Sequence, residues 1–191
     1  MKILLVDTTT KDLVVAIITE NQILDGTLAG IGTQHSEKLC FAVQDLLQKN
    51  NLTFADLDAY AASVGPGSFT GIRIGVSTVK GYNVAMGKKL IEINCLQAIA
   101  NSANCGNKGY AIIDAGNGYY FADYNNNVAP CLVDYNDSRV AGAGSAQTAI
   151  DYFDGAVLLA RNKYASKDFV DDLTAVYIRK SQAEVERENK K

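Results

Sequence analysis

The stretch SVGPGSFTGIRIGVSTVKG, residues 63–81, gathers the residue types with which nucleotide enzymes hold phosphates. Gly65, Pro66 and Gly67 form a sharp turn after an apolar run, and Ser68 is a good N-cap for the helix that follows. The free amides of that helix's first turn could hold an anion. The letters, however, complete neither common phosphate loop. A Walker A sequence needs a Lys-Ser/Thr pair after its last glycine, and Ile72 and Arg73 follow Gly71. A dinucleotide fingerprint needs glycine at position 70, which is threonine. A strand-to-helix turn with a purely structural role fits the same residues.

Inside the helix, Gly71 and Gly75 lie four apart with Thr78 near the same face. Each costs about 1 kcal/mol relative to alanine, so their placement implies close approach of another backbone. Arg73, Ser77 and Lys80 line up at helical spacing as a polar face. The other candidates are carboxylates and one histidine. Asp7, followed by Thr8, Thr9 and Thr10, has the layout of a phosphate turn, without the usual glycine. Asp114 ends a second apolar run of the same kind, and AGAGSAQ (141–147) has the composition of a loop that packs on adenosine. His35 is the one histidine, and HSEKL puts Leu39 where a metal-binding HxxxH needs its second ligand. The four cysteines form no CxxC pair, which with one histidine excludes a structural zinc framework.

The elements that position these residues can be read from hydropathy. KILLV, LVVAIIT (13–19) and QILDGTLAG (22–30) are short apolar runs joined by tight turns, the signature of an antiparallel meander. Leu39, Val43, Leu46 and Leu47 mark one face of a helix with Ser36 as its cap. A strand at 57–65, the glycine turn with a helix to about Met86, a strand at 88–94 and the helix CLQAIANSA follow. YAIIDAGNGYYFADY (110–124) then echoes ILLVDTTTKDLVVAI, with Asp114 in the place of Asp7. After PCLVDY (130–135) the expected order is GAVLLA, a helix of about ten residues, the strand AVYIR and a charged tail. Two β-β-β-α-β-α units in tandem, the second degenerate, describe the two-lobed α/β architecture of actin, Hsp70 and sugar kinases (the ASKHA fold). The expected division is a first lobe at 1–105, a reduced second lobe at 106–180 and a tail at 181–191.

The 191 residues carry a net charge of −3, 48% hydrophobic and 20% charged residues. That composition suits a globular protein and gives no basic stripe for autonomous nucleic-acid binding. With neither a signal-peptide core nor a membrane span, a cytoplasmic protein is expected.

Taken in order, ILLVDTTT, HSEKL, GPGSFTGIRIGVSTVKG, DAGNGYYFADY, AGAG and YIRKSQA resemble the bacterial TsaB (YeaZ) family, with GPGSFTGIRIG the most specific of them. Two positions depart from that pattern: Phe41 stands where a proline is expected, and Gly116-Asn117 where basic residues are common. The resemblance implies a non-catalytic partner of TsaD, the metal-bearing transferase of the same superfamily. With the P-loop ATPase TsaE, that pair installs threonylcarbamoyl on the adenosine next to the anticodon of tRNAs reading codons that begin with A. The adenylate substrate comes from TsaC. It further implies that ATP and Mg serve the complex rather than a cofactor site on this chain, that tRNA is met through the complex, and that the chain alone is a homodimer. On this reading Ser36, Leu39, Gly71, Arg73, Gly75, Thr78 and Lys80 form a partner-binding face, with the two glycines against a partner helix. Asp7, Thr8, Thr9, Gly67 and Ser68 are candidate nucleotide contacts, and neither catalytic nor metal-binding residues are expected. The rival reading is a small ATPase or metabolite kinase of the same fold, using Asp7 and Asp114.

Overall fold

The computed structural model describes residues 1–178; the tail and Arg179, the end of the expected strand AVYIR, lie outside that range. The first strand, β1 (Lys2–Asp7), pairs antiparallel with β2 (Val14–Thr19), which pairs antiparallel with β3 (Ile23–Asp25). β4 (Ala59–Gly65) lies parallel to β1, and β5 (Lys89–Asn94) parallel to β4, giving the order β3-β2-β1-β4-β5. β1 is apolar at every core position because both of its faces are covered. Leu4 and Val6 meet α1 (His35–Lys49) and α2 (Phe69–Met86). Ile3 and Leu5 meet α3 (Cys95–Asn101) and α4 (Phe153–Ala165).

The second sheet comprises β6 (Tyr110–Asp114), β7 (Tyr119–Asp123), β8 (Val128–Val133) and β9 (Gly144–Ser145), in the order β8-β7-β6-β9. β6–β7–β8 form an antiparallel meander and β9 runs parallel to β6, as β4 does to β1. The internal repeat is therefore real at the level of strand order and direction, and the fold is the two-lobed ASKHA architecture with a reduced second unit. The reduction falls at the crossover. Where α1 joins β3 to β4, the link between β8 and β9 has only the short 3-10 turn Ser138–Val140. Ala111 and Ala122 of the second sheet share one core with α3 and α4, so α3 serves both sheets.

Three local expectations are corrected. Gln34, not Ser36, precedes α1, and no side chain caps it; Ser36 lies within the first turn. GAVLLA belongs to α4, where Ala156, Val157, Leu159 and Ala160 are buried and Leu158 is exposed. A methyl on Gly155 would overlap the Ala98 carbonyl oxygen, so the helix uses glycine to approach α3 closely. The described part of AVYIR is not a strand. Residues 170–178 instead return across the first lobe, with a Val170–Leu90 bridge, Leu173 buried and Val176 N–H donating to the Val64 carbonyl at 2.8 Å.

Candidate functional site

Between the sheets lies a cleft of about 460 Å³, lined among others by Thr9, Lys11, Gly67, Ser68, Asp114, Gln147 and Tyr152. β1 ends at this cleft and α2 begins there. Ser68 caps α2 as expected, its hydroxyl accepting from Gly71 N–H at 3.2 Å. Ser68 N–H itself donates to the Thr9 carbonyl at 2.8 Å. A Cβ on Gly67 would stand 2.8 Å from the Thr9 carbonyl oxygen, so the glycine lets the two turns touch. The expected nucleotide contacts are thus brought together, but they are bonded largely to one another.

Asp7 shows this most clearly. It is buried at 2% exposure and does not line the cleft. Its Oδ1 accepts from Thr9 N–H at 2.8 Å and the Thr9 hydroxyl at 2.7 Å, and its Oδ2 from the Tyr152 hydroxyl at 2.8 Å. The Cys95 thiol donates to Thr9 Oγ1 at 3.6 Å and closes the network. Burial, with the Asp7 charge beside it, pushes the Cys95 thiol up to about 12 and the Tyr152 phenol well above its ordinary range. Thr8 points elsewhere: its hydroxyl donates to the Gly71 carbonyl at 2.6 Å and stitches β1 to α2. Asp114 is exposed and makes the same Asx turn as Asp7, accepting from Gly116 N–H at 2.7 Å; its other partner is the Tyr135 hydroxyl at 3.0 Å. The two aspartates therefore match in turn geometry and differ in burial. Tyr152 carried no sequence signal, since one tyrosine in AIDYF reads as an ordinary helix-start residue.

His35 is buried, and its Nε2 is 3.0 Å from the Asp12 carbonyl. Leu39 is a core residue at 1% exposure. Among the described residues no group of three metal-ligating side chains comes together.

The expected partner face divides in two. Leu39, Gly71 and Gly75 are buried within the first lobe, which corrects their assignment to an exposed interface. A methyl on Gly71 would overlap the Thr8 carbonyl, and one on Gly75 would lie 2.5 Å from Thr8 Oγ1. Gly71 thus admits the backbone of Thr8, just past the end of β1, and Gly75 admits the Thr8 side chain, both in their own lobe. Ser36, Arg73 and Thr78 do sit together, around a surface groove between the start of α1 and the outer side of α2. Lys80 is paired with Asp172 at 2.7 Å. Sequence patterning assigned no role in pairing to two exposed apolar residues of these helices. Val84 is 90% exposed and falls on the same line along α2 as Arg73, eleven residues earlier. Phe41 on α1, which entered only as a departure from the family pattern, is 70% exposed.

A two-lobed ASKHA fold with its first aspartate locked in a hydrogen-bond network defines the class of protein. The family model described as "TsaD: tRNA N6-adenosine threonylcarbamoyltransferase" matches residues 15–129. The tRNA threonylcarbamoyladenosine biosynthesis protein TsaB of Escherichia coli is 33% identical over 132 residues, covering 65% of this chain and 55% of that protein. Its Bacillus subtilis counterpart is 29% identical over 100 residues, covering 52% and 44%. The matched stretch thus spans about half the length of these relatives. A crystal structure from Pseudomonas aeruginosa, titled as an uncharacterized protein similar to peptidase YEAZ, superposes with a TM-score of 0.72 at 21% identity, covering 93% of this chain and 99% of that one. The chain belongs to the TsaD family, within its TsaB/YeaZ group.

Proposed function

We propose that this chain is a non-catalytic subunit of the assembly that installs threonylcarbamoyl on the adenosine next to the anticodon of tRNAs reading codons that begin with A. It pairs with and activates a TsaD-like transferase, works alongside a TsaE-like P-loop ATPase in the cytoplasm, meets tRNA through the complex and is a homodimer when alone. The observation that carries the non-catalytic part is the state of Asp7. A carboxylate that is buried behind the cleft lining, and whose two oxygens already accept three hydrogen bonds from its own fold, is committed to structure rather than to a metal–nucleotide complex. The short crossover of the second unit supports the same reading, since that unit is reduced to a 3-10 turn where the first has α1. The division into lobes at residues 105 and 106 is kept as part of this proposal.

The pairing surface is placed on the outer side of α1 and α2. Arg73, Ser77, Gly81 and Val84 are all exposed and fall along one line of α2, a small-residue stripe with a cation at one end and an apolar side chain at the other. Ser36, Arg73, Thr78 and Lys80 remain in this surface, without the buried Leu39, Gly71 and Gly75. Sedimentation of the chain with a TsaD-like transferase, with and without Val84→Glu, tests the placement. Weaker association by the variant is expected; unchanged association would move the interface elsewhere.

A further inference from the structure

Arg73 is unusually well held for an exposed side chain. Its guanidinium carbon stands 3.8 Å from the centroid of the Phe69 ring and 5.7 Å from that of Tyr177, and its Nε donates to the Tyr177 hydroxyl at 3.1 Å. The two rings are themselves 4.8 Å apart. Phe69 is four residues earlier on α2, so helix geometry alone makes it a neighbour of Arg73. Tyr177 comes from the far end of the chain. The returning segment delivers it, anchored by the buried Leu173 and by the Val176–Val64 hydrogen bond.

Among the described residues this guanidinium uses Nε alone in hydrogen bonding. Among the described residues no carboxylate pairs with Arg73, and its two terminal nitrogens have no hydrogen-bond partner; Lys80, one face-repeat along α2, is taken by Asp172. The terminal nitrogens form the fork that binds a carboxylate in two parallel hydrogen bonds. Stacking has already restricted the rotamers that an arginine normally loses on binding, so the fork is preorganised. Beside it lies the groove of about 490 Å³, with Ile74 and the hydroxyls of Ser36, Thr70, Ser77 and Thr78 in its lining and no carboxylate.

We propose that this groove is a socket for a side-chain carboxylate of the partner protein, gripped by Arg73, with Tyr177 as the residue that positions the guanidinium. The inference rests on the α1–α2 pairing surface proposed above. Charge decides the class of occupant. A nucleic-acid backbone needs several unpaired cations, whereas the groove lining offers one on a chain of net charge −3. A single planar fork beside hydroxyls and an apolar floor matches one carboxylate with its own carbon stem.

Calorimetric titration of the TsaD-like transferase into five proteins tests this: wild type, Arg73→Lys, Arg73→Gln, Tyr177→Phe and Val84→Glu. Both Arg73 variants should bind about tenfold or more weakly, since lysine keeps the charge and lacks the fork. Tyr177→Phe keeps the ring and removes only the Nε acceptor, so it should fall between them and wild type. Arg73→Glu should regain binding when one carboxylate of the transferase is replaced by arginine, a rescue that a merely structural role for Arg73 would not give. Wild-type affinity in both Arg73 variants while Val84→Glu weakens binding would refute the socket and leave the pairing surface standing. No binding by the wild type would overturn both. Loss of tRNA binding by Arg73→Gln, with transferase binding intact, would refute the carboxylate in favour of a phosphate.

Discussion

Replacing Gly71 with alanine should destabilise the protein although it improves the helix. The new methyl would overlap the Thr8 carbonyl, a backbone atom fixed at the end of β1 that cannot rotate away. Relief requires α2 to move off the sheet, which also breaks the Thr8–Gly71 hydrogen bond of 2.6 Å. Overpacking of this kind costs about 1–3 kcal/mol and the lost bond about 0.5–1.5 kcal/mol, against a gain of about 1 kcal/mol in helix propensity. The net loss is about 2 kcal/mol, or about 4–8 °C in melting temperature for a chain of this size. Gly81, ten residues on in the same helix, is the matched control: it is exposed, and among the described residues nothing beyond its own stretch of helix comes within 4 Å of where its Cβ would stand. Gly81→Ala should therefore stabilise, by about 0.5–1 kcal/mol. Thermal unfolding followed by circular dichroism reads both. If Gly71→Ala melts at or above the wild-type temperature, the close packing of α2 on β1 is wrong.

The buried network makes further predictions. Tyr152→Phe strands Asp7 Oδ2, and Asp7→Asn turns an amide donor toward hydroxyls that need an acceptor. Each should lower unfolding stability in urea by about 1–3 kcal/mol while sedimentation with the transferase stays unchanged. Stability should also fall as pH rises above about 9. The Cys95 thiol is raised from its ordinary 9.0 to about 12 in the fold, so the unfolded chain releases this proton first and is favoured across that window. Each such group contributes a slope of up to about 1.4 kcal/mol per pH unit, and Cys95→Ser should make the alkaline decline shallower; equal slopes in both proteins would contradict the burial of the thiol. Isolated chain with Mg and ATP should show no turnover above background, whereas a rate abolished by Asp7→Ala would favour the ATPase reading.

Much of this arrangement was legible because it is local. The β1–β2–β3 meander, the glycine turn and the Ser68 cap follow from short apolar runs, from helical periodicity and from one residue type at one position. The repeat was legible too, since Asp7 and Asp114 end matching runs and both make Asx turns. What stayed hidden was direction. Gly71 and Gly75 announce that some backbone comes close, but spacing along one helix cannot say whether it belongs to a partner or to the adjacent strand. The same holds for Tyr152 and Tyr177, which lie 145 and 104 residues from the Asp7 and Arg73 they bond. Such contacts exist only after the chain has returned on itself, so no local pattern encodes them. GAVLLA read as a separate apolar run because only its place against α3 shows which of its residues are buried.

The central claim is that this chain contributes a surface and not a reaction. Its most direct test is tRNA modification in a mixture of TsaD-like transferase, TsaE-like ATPase, threonylcarbamoyl-adenylate, ATP, Mg and tRNA, with this chain as the variable. Modification should be lost without the chain, restored by wild type and by folded Asp7→Asn, and not restored by Val84→Glu. Full modification without the chain, or a folded Asp7→Asn protein that binds the transferase yet yields no product, would contradict the account.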